Sequence, residues 1–345
     1  MRKIVFITQH VDPKHPALAA TVPKISALAA LVDEVVVLAD GVVEEALPSN
    51  CRWRTFRSST KAGRGLRFEV ALARELRGLR SGAVVAHMCP IYAVLAAPLT
   101  RPLRVPLILW FTHWRASRLL RLAERASTAV TSVDERSFPL GSPKVRAIGH
   151  GIDLSQFPCT PPREGEGLLR LLALGRYSPA KGLDIVLQAV AALEDDVHLD
   201  IHGPALSAEE REHRAELERL ASELSLDGRV RIGDAVHREE VPALLVSHDA
   251  LVNNMRAGAP DKVVYEAAAG CLPVLASNPV FDSLLEPAQL FAREDPGELA
   301  DRIRALAALD SDDRAELGRR LRERVETSHS VHSWARGILA AAGVR

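Results

Sequence analysis

Short apolar runs alternate with amphipathic segments along almost the whole chain, and this alternation predicts strands and helices in turn. In the first half, the predicted strands are residues 4–8, 34–39, 83–88, 106–111, 129–132 and 144–148. Helical spacing of apolar residues predicts helices at 21–31 and 66–79 between them. Such alternation is typical of a parallel sheet that is covered by helices on both faces.

The same alternation returns in the second half after an interruption. The predicted strands there are residues 168–174, 197–202, 229–233, 250–253, 273–276 and 289–292, and the predicted helices include 183–193, 208–224, 263–269 and much of 311–342. The interruption, 158–167 (PCTPPREGEG), is too rich in Pro and Gly to pack as a helix or a central strand. We therefore expect two doubly wound α/β domains, 1–160 and 168–327, joined by a linker.

Composition narrows the class of protein. The chain has 345 residues, is 47% hydrophobic and 26% charged, and carries 44 basic and 44 acidic residues, so a nucleic-acid partner is not expected. Cys51, Cys89, Cys159 and Cys271 show no C-x-x-C or metal-ligand spacing, which indicates isolated thiols in a reducing cytoplasm. Neither a signal peptide nor an uncharged run near the ~18 residues of a membrane span is visible. We expect a soluble cytoplasmic protein.

The loop at 175–182 (GRYSPAKG) carries the first candidate chemistry. Arg176 and Lys181 lie on this loop between a predicted buried strand and a predicted helix, with glycine at both ends. Two cations at the carboxyl end of a strand can clamp a diphosphate, and glycine allows a close approach of the backbone. Taken alone, a basic surface turn explains the loop equally well.

A second candidate lies in residues 253–276 (NNMRAGAPDKVVYEAAAGCLPVLA). A strand ends near Asn253, a Gly- and Pro-containing loop follows, and a helix of small residues starts near Asp261, whose carboxylate could cap it. Helix starts also attract anions, and Glu266 lies one turn further on, where it could accept hydrogen bonds from a ribose. In isolation, an ordinary surface acid is the stronger interpretation of Glu266.

Together, the motif Gly-Arg-x4-Lys-Gly and the later Glu-Ala-x-Ala-x-x-x-Pro-Val resemble the retaining glycosyltransferases of the GT-B fold. More narrowly, the chain is similar to the large sucrose-synthase-like and mannosyltransferase-like family, glycosyltransferase family 4. Further pieces agree in order and spacing: 149–153 with Phe157, 197–203, 230–233 and 272–274. The resemblance covers most of residues 105–280.

The resemblance implies a donor site in the C-terminal domain. Arg176 and Lys181 would hold the donor's diphosphate and stabilise the charge that grows on the leaving phosphate. Glu266 would bind the ribose. Backbone near Ile232 and Gly233 would border the base, and Gly203 would let the chain pass close to the nucleotide.

The resemblance also implies the reaction. A nucleotide-diphosphate sugar, with UDP or GDP as the nucleotide, would donate its sugar to a glycan, glycolipid or small-metabolite acceptor by same-face attack with retention. No metal and no other cofactor is expected. His113 would face the donor sugar; the alternative is a histidine at the edge of the core beside Trp110 and Trp114.

Two departures from the family pattern leave the sugar and acceptor contacts open. Gly258 stands where the family has its first, sugar-binding glutamate, so Asp261, next to Lys262, takes over this contact or only caps its helix. The family's paired glycines near the N-terminus are replaced by 9–20 (QHVDPKHPALAA), where Gln9 and His10 are acceptor candidates or part of a solvated loop.

The GT-B fold implies two Rossmann-like domains facing a cleft, with a C-terminal helix within 328–345 that crosses back to the N-terminal domain. Residues 101–104 and 115–125 are basic and amphipathic. They predict a solvated helix face or, for a lipid acceptor, peripheral contact with a membrane. Two functions remain as alternatives: a nucleotide-sugar-binding protein without transfer activity and a nucleotide-sugar epimerase.

Overall fold

The computed structural model describes residues 1–15, 18–79, 81–161, 167–256 and 260–344. The chain divides into two compact units of similar size. The first unit is Met1–Asp153 with Ser328–Arg345, and the second is Leu154–Thr327. The roles assigned above to the two domains stay predictions.

The first unit is built on a parallel sheet. Its strands are β1 (Arg2–Ile7), β2 (His10–Val11), β3 (Glu34–Ala39), β4 (Gly41–Val42), β5 (Cys51–Thr55), β6 (Ser81–His87), β7 (Leu107–Trp110), β8 (Ala129–Ser132) and β9 (Val145–Ala147). Seven of them form the sheet in the order β5-β3-β1-β6-β7-β8-β9, and β2 pairs with β4. The central strands are buried because helices cover both faces, as their continuous apolar runs predict.

Four helices of this unit precede the second unit: α1 (Thr21–Ala29), α2 (Lys61–Leu76), α3 (Pro90–Thr100) and α4 (Arg118–Ala126). Side-chain caps fix where α2 and α4 begin. The Thr60 hydroxyl accepts from the Gly63 N–H, and the Ser117 hydroxyl accepts from the Leu120 N–H. Sequence periodicity placed the start of α2 at residue 66 and missed its polar first turn.

The second unit repeats the plan with fewer strands. These are β10 (Leu169–Leu174), β11 (Val197–His202), β12 (Val230–Gly233), β13 (Ala250–Asn253) and β14 (Val274–Ala276), in the order β12-β11-β10-β13-β14. The helices are α5 (Leu183–Ala191), α6 (Ala208–Glu223), α7 (Val241–Val246), α8 (Lys262–Ala269), α9 (Pro296–Ala307) and α10 (Ser311–Ser328). The predicted strand at 289–292 is wrong, because Pro287–Gln289 is a 3₁₀ turn and Leu290 forms only one bridge, to Ala276.

The last helix, α11 (Val331–Ala342), belongs to the first unit, as predicted for a helix that crosses back. Trp334 is fully buried in that unit. The backbone at Gly151 runs against it, because a Cβ there would lie 2.6 Å from the Lys24 side chain and 3.2 Å from the Trp334 ring. A bridge between Ile152 and Ser330 fixes the entry into the helix.

The prediction of four isolated thiols is wrong for two of them. Cys159 and Cys271, 112 residues apart, form a disulfide, whereas Cys51 and Cys89 are free. The disulfide ties the start of the second unit to the end of α8, and the Arg322 guanidinium donates to both the Phe157 and Ala269 carbonyls beside it. Residues 154–161 therefore belong to the second unit, although the sequence assigned 154–157 to the first domain and 158–161 to the linker. Residues 162–166 of the predicted linker lie outside the described residues.

Candidate functional site

The loop after β10 is packed against the loop after β11. The Gly175 N–H donates to the His202 carbonyl at 2.9 Å, and the Tyr177 N–H donates to the Pro204 carbonyl at 3.2 Å. A Cβ at Gly203 would lie 1.7 Å from the Gly175 carbonyl oxygen, so this position must be glycine. Gly203 therefore permits a close approach of two backbones at the carboxyl edge of the sheet, where ligands of doubly wound folds bind.

Arg176 forms an ion pair with Glu210 of α6. The Arg176 side chain is about half exposed (55%), whereas the Glu210 side chain is buried (5% exposed) and also accepts from the Leu206 N–H at 2.7 Å. Burial opposes ionisation of Glu210, but hydrogen bonds from Leu206 and Arg176 outweigh it and lower the pKa of this carboxyl group. The guanidinium is thus held in place and still faces solvent.

Lys181 forms an ion pair with Asp261, 80 residues away at the start of α8. The same Asp261 oxygen accepts from the Asn253 side-chain amide at 2.9 Å. The carboxylate makes no capping hydrogen bond to α8, so the expectation that Asp261 caps this helix is wrong. The pair brings together the two motifs that the sequence singled out. Gly258 lies outside the described residues.

Arg256 fixes the segment after β13 to the same loop. Its guanidinium bonds Asp184 at 2.9 Å, Glu294 at 2.7 Å and the Pro179 carbonyl at 3.2 Å. Its N–H donates to the Ala180 carbonyl at 2.8 Å. The 3₁₀ turn that presents Lys181 is therefore held from one side by Arg256 and from the other by Asp261.

Glu266 is buried in α8, with 4% of its side chain exposed, which excludes the surface-acid interpretation. Arg238 contacts both carboxylate oxygens, at 2.7 and 2.8 Å, and Lys262 contacts one of them at 2.5 Å. Burial lowers the pKa of Lys262, and the neighbouring Glu266 carboxylate opposes this shift. Arg238 also lies over the Phe157 ring, at 5.3 Å. Sequence reasoning missed Arg238, since no periodicity or motif marks it.

Ile232 and Gly233 end β12 beside Tyr177, which is fully buried. The Tyr177 hydroxyl lies 2.5 Å from the Gly233 carbonyl and 3.2 Å from the Ile201 carbonyl, and burial raises its pKa to about 12. A Cβ at Gly233 would lie 2.6 Å from the His202 ring. Both predicted base-bordering residues therefore lie at the same edge of the sheet as Gly175 and Gly203.

In the first unit, His113 follows β7. Its Nδ1 accepts from the Arg115 N–H at 2.9 Å, and its ring stacks on Trp114 with centroids 5.8 Å apart. Burial, with a smaller contribution from Arg115, lowers its pKa, which keeps the ring neutral near pH 7. It is His87, not His113, that stacks on Trp110.

The acceptor candidates Gln9 and His10 belong to a small ordered element. The Gln9 carbonyl accepts from the Asp40 N–H at 2.9 Å, and β2 pairs with β4. The His10 ring stacks on His15 at 5.6 Å and packs against Gly41, where a Cβ would lie 2.9 Å from its Nδ1. Sequence patterns missed this two-residue pairing because it is shorter than any periodic signal.

A buried lysine in the first unit was also missed. The Lys24 ammonium lies 3.8 Å from the Trp110 ring centroid and 5.2 Å from that of Trp334. His87 stacks on Trp110 from its own strand end, and burial together with Lys24 lowers the pKa of His87. Lys24 and the three rings are far apart in the sequence, so only the fold brings them together.

Among the described residues, no helix combines the length and apolar content that crossing a membrane requires. The outer face of α4 is exposed and mixes charged with apolar side chains. It shows Arg118, Arg121 and Arg125 together with Leu119 (38% exposed) and Leu122 (52% exposed). The choice between a solvated face and peripheral contact with a membrane stays a prediction.

In the comparison with known protein families, the match falls within the second unit. Residues 162–324 match the family model described as glycosyl transferases group 1. Curated protein sequences give no significant match to the chain.

Solved structures match nearly the whole chain. HepE from Anabaena in complex with UDP is similar with a TM-score of 0.78 at 18% identity, over 99% of both chains. A glycosyltransferase from Rickettsia africae has a TM-score of 0.76 at 14% identity, over 99% of this chain and 97% of that one. Sucrose-phosphate synthase from Thermosynechococcus elongatus gives 0.71 at 18%, over 98% and 97%. These likenesses confirm the predicted GT-B fold.

Proposed function

Because residues 162–324 match the family model of glycosyl transferases group 1 and the chain has the GT-B fold, we propose that it is a retaining hexosyltransferase. It moves a sugar from a UDP- or GDP-sugar to a glycan, a glycolipid or a small metabolite. The observation that carries the proposal is the Lys181–Asp261 ion pair, since it joins the cation loop to the start of the helix that bears Glu266.

The second unit supplies the donor contacts. Arg176 and Lys181 bind the diphosphate, and both are oriented by carboxylates before any ligand arrives. As the bond from sugar to phosphate breaks, charge grows on the leaving diphosphate, and two oriented cations stabilise it. Glu266, fixed by Arg238 and Lys262, accepts hydrogen bonds from the ribose. Complexes of HepE with UDP and with UDP-glucose support a nucleotide-sugar donor.

Asp261 has a separate task in this proposal. It replaces the family's first glutamate as the residue that contacts a hydroxyl of the donor sugar, and Lys262 follows it on α8. Because the Asp261 carboxylate also competes with the diphosphate for Lys181, its removal has opposite effects on two ligands. Asp261→Asn is expected to bind UDP or GDP at least as tightly as the wild type, with a raised KM for the nucleotide sugar and a lowered turnover. An unchanged KM and kcat would remove Asp261 from the sugar site.

A nucleotide screen tests the proposal first. The wild type is heated with UDP, GDP, ADP or dTDP, and a ligand present at 100 times its Kd adds about 2.7 kcal/mol of stability. We expect UDP or GDP to raise the melting temperature by several degrees. Arg176→Ala and Lys181→Ala should abolish the rise. Arg231→Ala, an exposed arginine on β12, serves as the matched control.

Transfer assays then separate the functions. Release of the nucleotide and a glycosylated product of retained anomeric configuration, unaffected by EDTA, support the metal-independent retaining reaction. Tight nucleotide binding without turnover supports a binding protein, and interconversion of two nucleotide sugars supports an epimerase. His113→Ala tests the role that the family resemblance gives His113, with a lowered kcat expected.

A further inference from the structure

The first unit has an open cavity of about 860 Å³ that none of the roles above uses. It lies where β3 and β5 end, at the carboxyl edge of the parallel sheet, and the first turns of α2 close one side. Its volume is that of an ordinary small-molecule site, and its position at the strand ends is where doubly wound folds bind ligands.

Three arginines dominate the charge of this cavity. Arg57, Arg64 and Arg67 line it, against a single carboxylate, Asp40. Arg64 is 3.8 Å from Asp40, whereas Arg57 and Arg67 have no carboxylate within ion-pair distance in the part of the chain that the structure describes. The Arg67 guanidinium donates to the Arg57 backbone carbonyl at 2.5 Å, which fixes the Arg67 side chain against the loop that precedes α2. Guanidinium groups bind phosphate through paired hydrogen bonds.

The arginines of the neighbouring part of the fold are different. Arg52 and Arg54 of β5 bond Glu75 at 3.3 and 2.5 Å, and Lys3 joins the same carboxylate at 2.7 Å. The cations near the end of α2 are therefore neutralised by Glu75, whereas Arg57 and Arg67, near its beginning, have no carboxylate partner among the described residues. The contrast argues against a general surplus of surface arginine as the explanation of the cavity.

The start of α2 adds neutral donors to the cations. Thr60 caps the helix, and the hydroxyls of Ser58 and Ser59 lie in or beside the cavity. Gly63 allows this loop to fold onto the helix, because a Cβ there would lie 2.5 Å from the Ser58 hydroxyl oxygen. The first N–H groups of a helix have no partner within it and favour anions.

Two buried polar atoms at the cavity also lack a partner among the described residues: Nε of Arg64 and Oδ1 of Asp40. One is a donor and the other an acceptor, and the ion pair between Arg64 and Asp40 holds both residues at the cavity wall. The half-buried Trp53 ring forms a wall beside them. Cation, hydroxyl-binding and aromatic groups together fit a sugar that carries a phosphate.

We propose that this cavity binds the phosphate group of a phosphorylated sugar or of a phosphate-bearing lipid headgroup. Arg57 and Arg67 bind the phosphate, Arg64 with Asp40 binds a neighbouring hydroxyl, and Trp53 covers the ring. The cavity adjoins Gln9 and His10 through the β2–β4 pair, since Asp40, Gly41 and Val42 line it. The proposal needs no donor site and stands independently of the transfer reaction.

Tryptophan fluorescence tests this site, and comparison with Trp53→Phe identifies the part of the signal that comes from Trp53 among the four tryptophans. Titrations with inorganic phosphate, glucose 6-phosphate and glucose use the Arg176→Ala/Lys181→Ala variant, so that the proposed donor clamp contributes nothing. Glucose 6-phosphate is expected to bind saturably and more tightly than phosphate, with no response to glucose. Arg57→Gln/Arg67→Gln should weaken binding at least tenfold, and Arg77→Gln, an exposed arginine at the other end of α2, should not.

Two arms separate the sources of the phosphate. The first arm uses phosphatidylcholine vesicles with and without phosphatidic acid. If the protein binds only the vesicles that contain phosphatidic acid, and Arg57→Gln/Arg67→Gln abolishes this binding, the site takes a lipid headgroup. Binding of glucose 6-phosphate assigns it to a free sugar phosphate. No response to any probe, or a response that survives Arg57→Gln/Arg67→Gln, overturns the proposal. Calorimetric titration with the same ligands measures binding to the wild type and to Trp53→Phe without relying on fluorescence. An unchanged melting temperature of each variant excludes misfolding.

Discussion

The cations proposed to bind ligands differ between the two units in whether they are paired with carboxylates. In the second unit, Arg176 and Lys181 are each paired with a carboxylate, Glu210 and Asp261. In the first unit, Arg57 and Arg67 line a cavity without a carboxylate partner in the described chain. A paired cation is oriented in advance, but its ligand must displace or share the carboxylate, which favours a highly charged ligand such as a diphosphate. An unpaired cation accepts a weaker anion directly.

The largest effect is expected in the second unit. Lys181→Ala removes a cation that, in the proposed reaction, stabilises the leaving diphosphate, and among the described residues it leaves the Asp261 carboxylate bonded to the Asn253 amide. Loss of one oriented donor of this kind typically costs about 10²–10³ in kcat. Initial rates of nucleotide release at saturating donor measure the effect. Arg77→Gln, at an exposed position in the first unit, should leave kcat unchanged, and a comparable loss there would show that the effect is not specific to the second unit.

Glu266 sharpens the comparison, because the proposal makes this carboxylate the ligand-binding group and makes Arg238 and Lys262 its supports. Glu266→Gln is expected to weaken UDP or GDP binding by about 10- to 100-fold, the range of one to two charge-assisted hydrogen bonds. Arg238→Gln should weaken it less, since Lys262 still holds the carboxylate. Calorimetric titration gives both constants. Equal losses in the two variants would mean that Arg238 itself binds the nucleotide.

The disulfide should matter for stability rather than for charge. Removing a native disulfide typically costs about 2–5 kcal/mol. Cys159→Ser is therefore expected to lower the melting temperature of the second unit. Dithiothreitol should lower the melting temperature of the wild type in the same way and should have no further effect on the variant. Cys51→Ser, a free cysteine in the first unit, is the control. A wild type that is insensitive to the reductant would contradict a structural role for the bond.

A smaller, pH-dependent effect belongs to the paired cluster of the first unit. Burial alone would raise the pKa of Glu75, but hydrogen bonds from Lys3 and Arg54 outweigh it and lower the pKa to about 2. Since the folded pKa lies below the ordinary value of 4.5, the stabilisation is complete above pH 4.5 and is lost as the pH falls towards 2. Denaturant unfolding should show Glu75→Gln less stable than the wild type at pH 7, with the gap closing in acid.

The smallest effect concerns the exposed face of α4. Vesicles with anionic lipid should retain the wild-type protein more than neutral vesicles do, because each basic residue near such a surface contributes about 1 kcal/mol. Arg118→Gln/Arg121→Gln should reduce the retention, and high salt should remove it. If neither the arginine substitutions nor high salt changes the retention, this face of α4 is a solvated surface without membrane contact.

Much of the architecture was predictable because it rests on periodicity. Strands such as 34–39, 197–202 and 250–253 match β3, β11 and β13 to the residue, as their apolar runs extend through buried positions. The short elements β2 and β4 and the polar strand β5 were missed. Two or five residues with a mixed pattern carry no usable period.

The candidate site was predictable only in its motif residues. The loop of Arg176 and Lys181 and the helix of Asp261 and Glu266 follow from local patterns, whereas the pairings with Glu210, Asp261 and Arg238 do not. Each partner lies tens of residues from the group it contacts, and nothing local specifies such a pair. The Cys159–Cys271 bond was missed for the same reason, at a separation of 112 residues.

Calorimetric titration of UDP and of GDP against the wild type, Arg176→Ala/Lys181→Ala and Arg231→Ala tests the central claim most directly. Two charge-assisted contacts of about 1.5–3 kcal/mol each correspond to a loss of at least 100-fold in affinity. The account predicts that loss in the double variant for whichever nucleotide binds, and unchanged binding in Arg231→Ala. A double variant that binds the nucleotide as tightly as the wild type would contradict the account.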